Sequence, residues 1–178
     1  DDNPVGGGAP YGTDTAIVTV DCVLAATAEF GQTYTNTASV NYRAQPGATP
    51  FPTISDVAMV TVASPSIDKS RVSISPNVDG NNGTATVGET IVYQVIITLP
   101  EGQGSSAQLV DRLDNGLTFE SFDSIVASSA NVTSAPNNFV TILAGAVGIN
   151  TRDAVFDFGT ITNNGNTGET ITVTYTVL

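Results

Sequence analysis

Few side chains in this sequence are suited to catalysis, and they are widely spaced. The 178 residues include no histidine, so the commonest general base and metal ligand is missing. Cys22 is the only cysteine and has no internal disulfide partner. It alternates with Val18 and Val20, which predicts a strand position with a buried, inert thiol. Lys69 is the only lysine.

The carboxylates are numerous, but their spacing does not favour a catalytic pair. Asp111 with Asp114, and Asp153 with Asp157, come closest to the acid–base pair of a glycosidase. Both pairs are predicted on turns or solvated strand faces. Tryptophan is absent and only 7% of residues are aromatic, so a platform for stacking sugars is not indicated. We therefore predict that the protein is not an enzyme.

Oxygen donors cluster in one short loop, residues 79–83 (DGNNG). Asp79 and Asn81 are the candidate ligands for calcium, which binds about six to eight oxygens. The loop lacks the bidentate acid of a helix–loop–helix calcium site, so a polar turn is the favoured interpretation and no cofactor is expected. Asn82 and Asn131 each begin an Asn-x-Thr triplet and are the candidate glycosylation sites of an exported protein.

Charge and composition exclude several classes of partner. Seventeen acidic and five basic residues give a net charge of −12, which opposes binding to nucleic acid and to anionic lipid. No stretch approaches the roughly 20 apolar residues of a membrane-spanning helix. With 40% hydrophobic and 12% charged residues, the chain is nevertheless expected to fold. We predict an extracellular or cell-surface location.

The candidate residues belong to a succession of short strands. Threonine, valine and isoleucine alternate with polar residues, and Asn-Gly or Asp-Gly pairs mark the turns between runs. This pattern predicts an all-β, antiparallel sandwich. One segment, residues 124–130, has instead the character of a helical turn. Strands are predicted at residues 17–22, 34–42, 57–62, 72–74, 91–99, 107–113, 117–122, 139–143, 154–158 and 171–178.

Residues 66–178 resemble a known family, the conserved immunoglobulin-like repeat of prokaryotic surface proteins (domain of unknown function eleven). That family is related to the isopeptide-forming fimbrial domains. The resemblance rests on four pieces in the family's order and covers about two-thirds of the chain. They are residues 67–70 (IDKS), 87–93 (VGETIVY), 109–119 (LVDRLDNGLTF) and 158–161 (FGTI). It implies an immunoglobulin-like sandwich.

The resemblance also implies that the repeat is split. Family repeats continue past their last strand to a segment of the form Asn-x-Ala-x-Val, which here stands near the start, at residues 36–40 (NTASV). We therefore divide the chain into three parts. Residues 1–13 form a flexible Gly/Pro-rich tail, and residues 14–64 the C-terminal part of a repeat, a candidate strand donor. Residues 65–178 form a repeat domain that lacks its terminal strands.

The same resemblance implies a candidate covalent cross-link. Lys69 stands where fimbrial relatives carry the lysine of an internal amide bond, and Asn36 matches their late-strand asparagine. Asp111 is the candidate acid of the reaction, with Glu89 as a second one. Burial would favour the neutral amine and protonated acid that this chemistry needs. The alternative is an ordinary strand-edge lysine paired with an acid.

An incomplete sandwich exposes a sheet edge and part of its core, so it favours strand addition between chains. We therefore expect a structural subunit of an extracellular filament, a homopolymer with head-to-tail contacts. One alternative is a spacer or adhesive repeat of a large cell-surface protein. The other is a compact monomer in which the N-terminal strands fold back onto their own domain.

Overall fold

A computed structural model describes residues 16–25, 27–76, 80, 83–136, 139 and 153–178. It confirms the all-β class, since the described part of the chain contains strands, turns and irregular segments but no helix. The strands are β1 (Thr33–Val40), β2 (Ile54–Thr61), β3 (Ser66–Ser75), β4 (Thr90–Leu99), β5 (Gly102–Arg112), β6 (Phe119–Ala127), β7 (Val132–Ala135), β8 (Asp153–Asn163) and β9 (Glu169–Val177).

Seven strands form two sheets. One sheet has the order β3-β4-β9-β6 and the other the order β5-β8-β7, and every ladder in both is antiparallel. The central pair, β4 and β9, places Val95 opposite Val173. Branched side chains of this kind alternate along both strands, so one face of the pair becomes continuously apolar.

The core lies between these sheets and draws residues from both. Val95, Ile171 and Val173 come from the four-stranded sheet, while Leu109 and Phe156 come from the three-stranded one. Phe156 is fully buried and packs beside the ring of Tyr175, with centroids 5.5 Å apart. The seven strands therefore form a β-sandwich with one apolar core.

The remaining strands, β1 and β2, form a separate two-stranded hairpin. Residues 28–30 attach its base to the start of β5: Phe30 N–H donates to Gln103 O (2.8 Å), and Gln103 N–H donates to Ala28 O (3.0 Å). Every residue of β1 and β2 is exposed. We call the end of the sandwich that carries this attachment the hairpin pole, and the opposite end, near Arg112 and Ile91, the far pole.

Glycines permit the close approach at the hairpin pole. Gly102 has a φ of +128°, and a Cβ added there would lie 2.8 Å from the carbonyl oxygen of Ala28. A Cβ on Gly104 would lie 3.0 Å from the ring of Phe30. A side chain at Gly102 would thus be strained and would push against the backbone of the attachment.

Two local predictions were wrong. Residues 17–22 are not a strand, because no neighbouring strand offers them a ladder in the described chain; they are irregular and exposed. Residues 124–127 belong to β6 rather than to a helical turn, since they pair with β9 and place Ile125 opposite Val173. No strand is predicted at the position of β7, which is only four residues long. Of the strand predicted at residues 139–143, all but Phe139 lies outside the described residues.

The described residues include no helix that is both long and apolar enough to cross a membrane. The immunoglobulin-like character and the division at residues 13 and 64 stay predictions. The first boundary lies outside the described residues, and the second falls in the irregular link between β2 and β3.

Candidate functional site

Lys69 and Asp111 meet where the two sheets lie side by side. Lys69 is on β3, an edge of the four-stranded sheet, and Asp111 is on β5, an edge of the three-stranded sheet. The Lys69 ammonium donates to Asp111 Oδ2 at 2.7 Å, with the side chains 37% and 13% exposed. The two residues therefore form a partly exposed ion pair, as in the alternative of a strand-edge lysine paired with an acid, and the cross-link stays a prediction.

Two tyrosines complete this cluster on the inward side. The Lys69 Nζ lies 4.3 Å from the ring centroid of Tyr93, close enough for a cation–π contact. The hydroxyl of Tyr175 donates to the same Asp111 oxygen that accepts from Lys69. Burial raises the pKa of Tyr175 far above its usual value, and the hydrogen bond to Asp111 adds to the rise. Asp111 is thus held between a cation and a neutral phenol.

Neither tyrosine was predicted as a site residue, although strand alternation contains a usable signal. Tyr93 lies opposite Tyr175 in the β4–β9 ladder, and Tyr93 also lies opposite Arg71 in the β3–β4 ladder. Arg71, Tyr93 and Tyr175 therefore lie on the inward face of their sheet. Lys69 lies on the same face, two positions before Arg71 on β3. A pairing of β3 with β4 would have predicted this arrangement, but the pairing could not be read from composition.

Asn36 is not brought to this cluster within one subunit. It lies on β1, which pairs only with β2 in the described chain, and its side chain is on the exposed hairpin. The second candidate acid, Glu89, is buried just before β4 and accepts a hydrogen bond from Thr86 N–H at 2.7 Å. Because Lys69 lies opposite Val95, Glu89 is at the far pole rather than beside the lysine.

The other carboxylate pairs do not form a shared site. Asp111 faces inward, contrary to its predicted place on a turn or solvated face, because β5 alternates and Leu109 takes the same face. Asp114 lies in the following turn and accepts from Asn115 N–H at 2.7 Å. Asp157 is exposed and accepts from Gly159 N–H at 2.9 Å, while Asp153 begins β8. The described residues contain no group of acids, cysteine or histidine that could hold a metal ion.

The predicted calcium ligands Asp79 and Asn81, and the glycosylation candidate Asn82, lie outside the described residues. The other candidate, Asn131, is exposed in the turn before β7, beside Glu169. Hydrogen bonds from Ser128, then Ser129 and Asn131, lower the pKa of the Glu169 carboxyl. Asn131 is therefore accessible but takes part in a local hydrogen-bond network.

The prediction of a buried Cys22 was wrong, since its side chain is exposed. It lies with Leu24 beside Tyr34, Asn36 and Val60 of the hairpin, around a surface cavity of about 310 Å³. Alternation alone had indicated a buried strand position, but residues 17–22 have no strand partner and no covering layer in the described chain.

Residue alternation divides the hairpin into two chemically different faces. Its apolar face carries Tyr34, Asn36, Ala38, Val40, Ile54, Asp56, Ala58 and Val60. Its hydroxyl face carries Thr33, Thr35, Thr37, Ser39, Ser55, Val57, Met59 and Thr61. Although the first of these faces has the composition of a sandwich interior, both are exposed.

Comparisons with protein-family models, with curated proteins and with solved structures find no match. The geometry of the hairpin and of the Lys69 cluster is therefore the basis for a functional proposal.

Proposed function

We propose that this protein is a structural subunit of an extracellular filament, in which the β1–β2 hairpin of one subunit completes the sandwich of the next. The observation that carries the proposal is the hairpin itself. Isolated two-stranded hairpins are marginally stable in water, and this one exposes a whole apolar face. Burial of that face against another subunit would stabilise both partners.

The contact is heterologous, because the donor hairpin and the acceptor sandwich are different surfaces. Contacts of this kind propagate from subunit to subunit and form a ring or an open filament. The net charge of −12 supports a fibre over an amorphous aggregate, since exposed faces of like charge repel laterally. The subunit has a mechanical role in this proposal and no catalytic turnover.

A covalent bond between subunits is part of the same proposal. If the hairpin of a neighbour covers Lys69, Asn36 is the residue on its apolar face with the required carboxamide. The Lys69 amine would attack the Asn36 side-chain carbonyl, an amide bond would form, and ammonia would leave. Asp111 is placed to exchange the protons of this step because it already contacts Lys69.

The first experiment tests the hairpin as donor. Val60 and Met59 are neighbours on β2, 48% and 69% exposed, and they lie on the apolar and the hydroxyl face respectively. We expect filaments of the wild-type chain by negative-stain microscopy, none with Val60→Asp, and filaments with Met59→Asp. A wild-type chain that stays a monodisperse monomer in light scattering at high concentration would contradict the proposal and favour the spacer repeat.

The second experiment tests the covalent bond. We expect wild-type filaments to leave a ladder of multimers after boiling in detergent, with a loss of 17 Da for each bond by mass spectrometry, roughly the mass of ammonia. Lys69→Ala and Asn36→Ala should each abolish the ladder. Complete dissociation of wild-type filaments to monomers would exclude the bond between subunits but leave the non-covalent filament standing.

A further inference from the structure

In the part of the chain that the structure describes, no layer covers the inward face of β3. Ile67 lies opposite Ile97, which in turn lies opposite the fully buried Ile171, so Ile67 points to the interior side of its sheet. It is nevertheless 63% exposed. Lys69 and Arg71 follow on the same face, opposite Val95 and Tyr93. The sheet therefore extends one strand beyond the layer that should cover it.

The layer opposite ends at β5. In the order β5-β8-β7, the second edge of β5 contacts, among the described residues, only residues 28–30, and only at its start, through Gln103. From Gly104 to Arg112 this edge has no partner strand in the described chain. The ion pair from Asp111 to Lys69 shows that the free edge runs beside the uncovered face. In the described chain, the edge of β5 thus has no partner strand, and the adjacent inward face of β3 has no covering layer.

The hairpin has the dimensions and chemistry for that place. β1 has eight residues and β5 has eleven, of which the first are occupied by residues 28–30. The acceptor face carries Ile67 with two cations, Lys69 and Arg71, in a chain with only five basic residues. The apolar face of the hairpin adds one carboxylate, Asp56, to its apolar side chains, so the two surfaces are complementary in charge as well as in polarity.

We infer that the β1–β2 hairpin of a second copy of this chain docks along the free edge of β5, with β1 antiparallel to β5 and its apolar face over Ile67 and Lys69. This inference rests on the proposed function and specifies its acceptor. Residues 28–30 of the acceptor block the edge at the hairpin pole, so the incoming hairpin enters from the far pole, tip first. Its β1 then runs opposite to β5, as in every ladder of the described sheets.

This arrangement makes the assembly polar. Each subunit donates its hairpin from the hairpin pole and accepts one from the far pole, so all subunits point the same way along the axis. A filament with two different ends follows from this geometry, and growth requires a free β5 edge at one end and a free hairpin at the other.

One test uses a charge on the acceptor face. Ile67→Asp places a carboxylate at a position that is exposed in the single subunit but covered in the assembly. Val126→Asp is the matched control, because Val126 is 57% exposed on β6 of the same sheet, where it lies opposite Thr172 rather than a core residue. We expect folded monomers from Ile67→Asp and filaments from Val126→Asp. Normal filaments from Ile67→Asp would overturn the inference.

A second test detects contact at the β5 edge by disulfide formation. It uses a Cys22→Ser background, which removes the native cysteine. Val110 on β5 and Thr133 on β7 are both exposed, on the two outer strands of the same sheet. Each is changed to cysteine together with one hydroxyl-face position of β1: Thr33, Thr35, Thr37 or Ser39. Oxidised filaments should give ladders that a thiol reductant removes with Val110→Cys at one of these positions, whereas any ladder with Thr133→Cys should be insensitive to the reductant.

The β5 acceptor and strand donation by the hairpin can be disproved separately. Ladders through Thr133→Cys in filaments that still require Val60 would overturn the β5 acceptor and leave strand donation intact. Filaments that form equally well with Val60→Asp would overturn the proposed function itself.

Discussion

The β1–β2 hairpin and the β4–β9 pair are built from similar residues and have opposite surroundings. Both are antiparallel ladders in which valine and threonine recur, and both place apolar side chains on one face. In β4–β9 that face holds Val95 and Val173 in the centre of the core, whereas every residue of β1 and β2 is exposed. The difference lies in the layer that covers the strands and not in the strands themselves.

This contrast shows that strands can carry an apolar face suited to a protein core although the described part of their own subunit does not cover that face. Within the described residues, the sandwich has no cover over β3, and the hairpin has an apolar face that no core covers. Matched substitutions in the two regions should therefore have very different effects on a single subunit. They test whether the hairpin contributes to monomer stability or only to assembly.

The largest difference in unfolding free energy between a core variant and a hairpin variant is expected for a large side chain. Phe156→Ala removes a fully buried ring that lies near Phe122 and Tyr175, and it should lower the free energy of unfolding by about 4 kcal/mol. Ile54→Ala in the exposed hairpin should change it by less than about 0.5 kcal/mol. Urea unfolding of dilute monomer, followed by near-ultraviolet circular dichroism, measures both. Equal losses would show that the hairpin is packed in the monomer.

The next comparison concerns two asparagines. The carboxamide of the buried Asn163 donates to Leu99 O (3.0 Å) and Thr167 O (2.9 Å) and accepts from Gly165 N–H. Asn163→Ala leaves these buried groups unpaired and should cost about 3 kcal/mol. Asn36→Ala, on the exposed hairpin, should cost less than about 0.5 kcal/mol in the monomer. Thermal unfolding of both variants at one protein concentration measures these losses as shifts in the midpoint temperature. Comparable shifts for the two variants would contradict the claim that the hairpin is exposed in the monomer.

The fold class followed from the sequence because it depends on local pattern. Alternation placed β4, β8 and β9 close to where they lie, since each has a partner on both sides or a buried face. It failed at residues 17–22, where the same alternation exists without a partner. Alternation shows that a segment could be a strand, but the ladder that makes it one comes from residues far away in the chain.

The candidate site was predictable in a similar, partial way. The resemblance placed Lys69 and Asp111 in one chemical group, and the structure brings them into contact. Residue spacing alone assigned Asp111 to a turn or solvated face, because its contact with Lys69 depends on the neighbouring sheet, which local spacing does not identify. Ile67 could not be identified at all, since its exposure depends on where the opposite sheet ends, which in the described chain is at β5.

Two tyrosines, one in the core and one on the hairpin, allow the pH dependence of stability to be compared between the two regions. At neutral pH, Tyr175→Phe removes the hydrogen bond to Asp111 and should cost about 1–2 kcal/mol. Tyr34→Phe should cost less than about 0.5 kcal/mol, because its hydroxyl only accepts from Glu29 N–H (3.2 Å) on the surface.

The sign of the pH effect follows from the raised pKa of Tyr175. Below about pH 10, the ordinary tyrosine pKa, the phenol is neutral in both the folded and unfolded states, and its contribution is fully present. Above that pH the unfolded chain loses the proton that the folded chain keeps, so stability falls. Urea midpoints from pH 8 to 11 should decline less steeply for Tyr175→Phe than for Tyr34→Phe. Identical slopes would argue against a buried phenol.

The smallest effect is expected where the hairpin has an internal contact of its own. The rings of Tyr42 and Phe51 stack with centroids 4.8 Å apart beyond the strand ends, and Phe51 N–H donates to Tyr42 O (3.0 Å). Phe51→Ala should lower the local stability of the hairpin by about 0.5–1 kcal/mol, in line with the energy of an aromatic pair. Hydrogen exchange should therefore speed up by a few-fold at the amides of β1 and β2 and stay unchanged in β4 and β9. This outcome would make the hairpin a separate unit of stability in the monomer, because in the described chain the two regions are joined by the attachment at the start of β5 and by the link between β2 and β3. Faster exchange throughout the sandwich would instead show that the hairpin already supports the core before a second subunit binds.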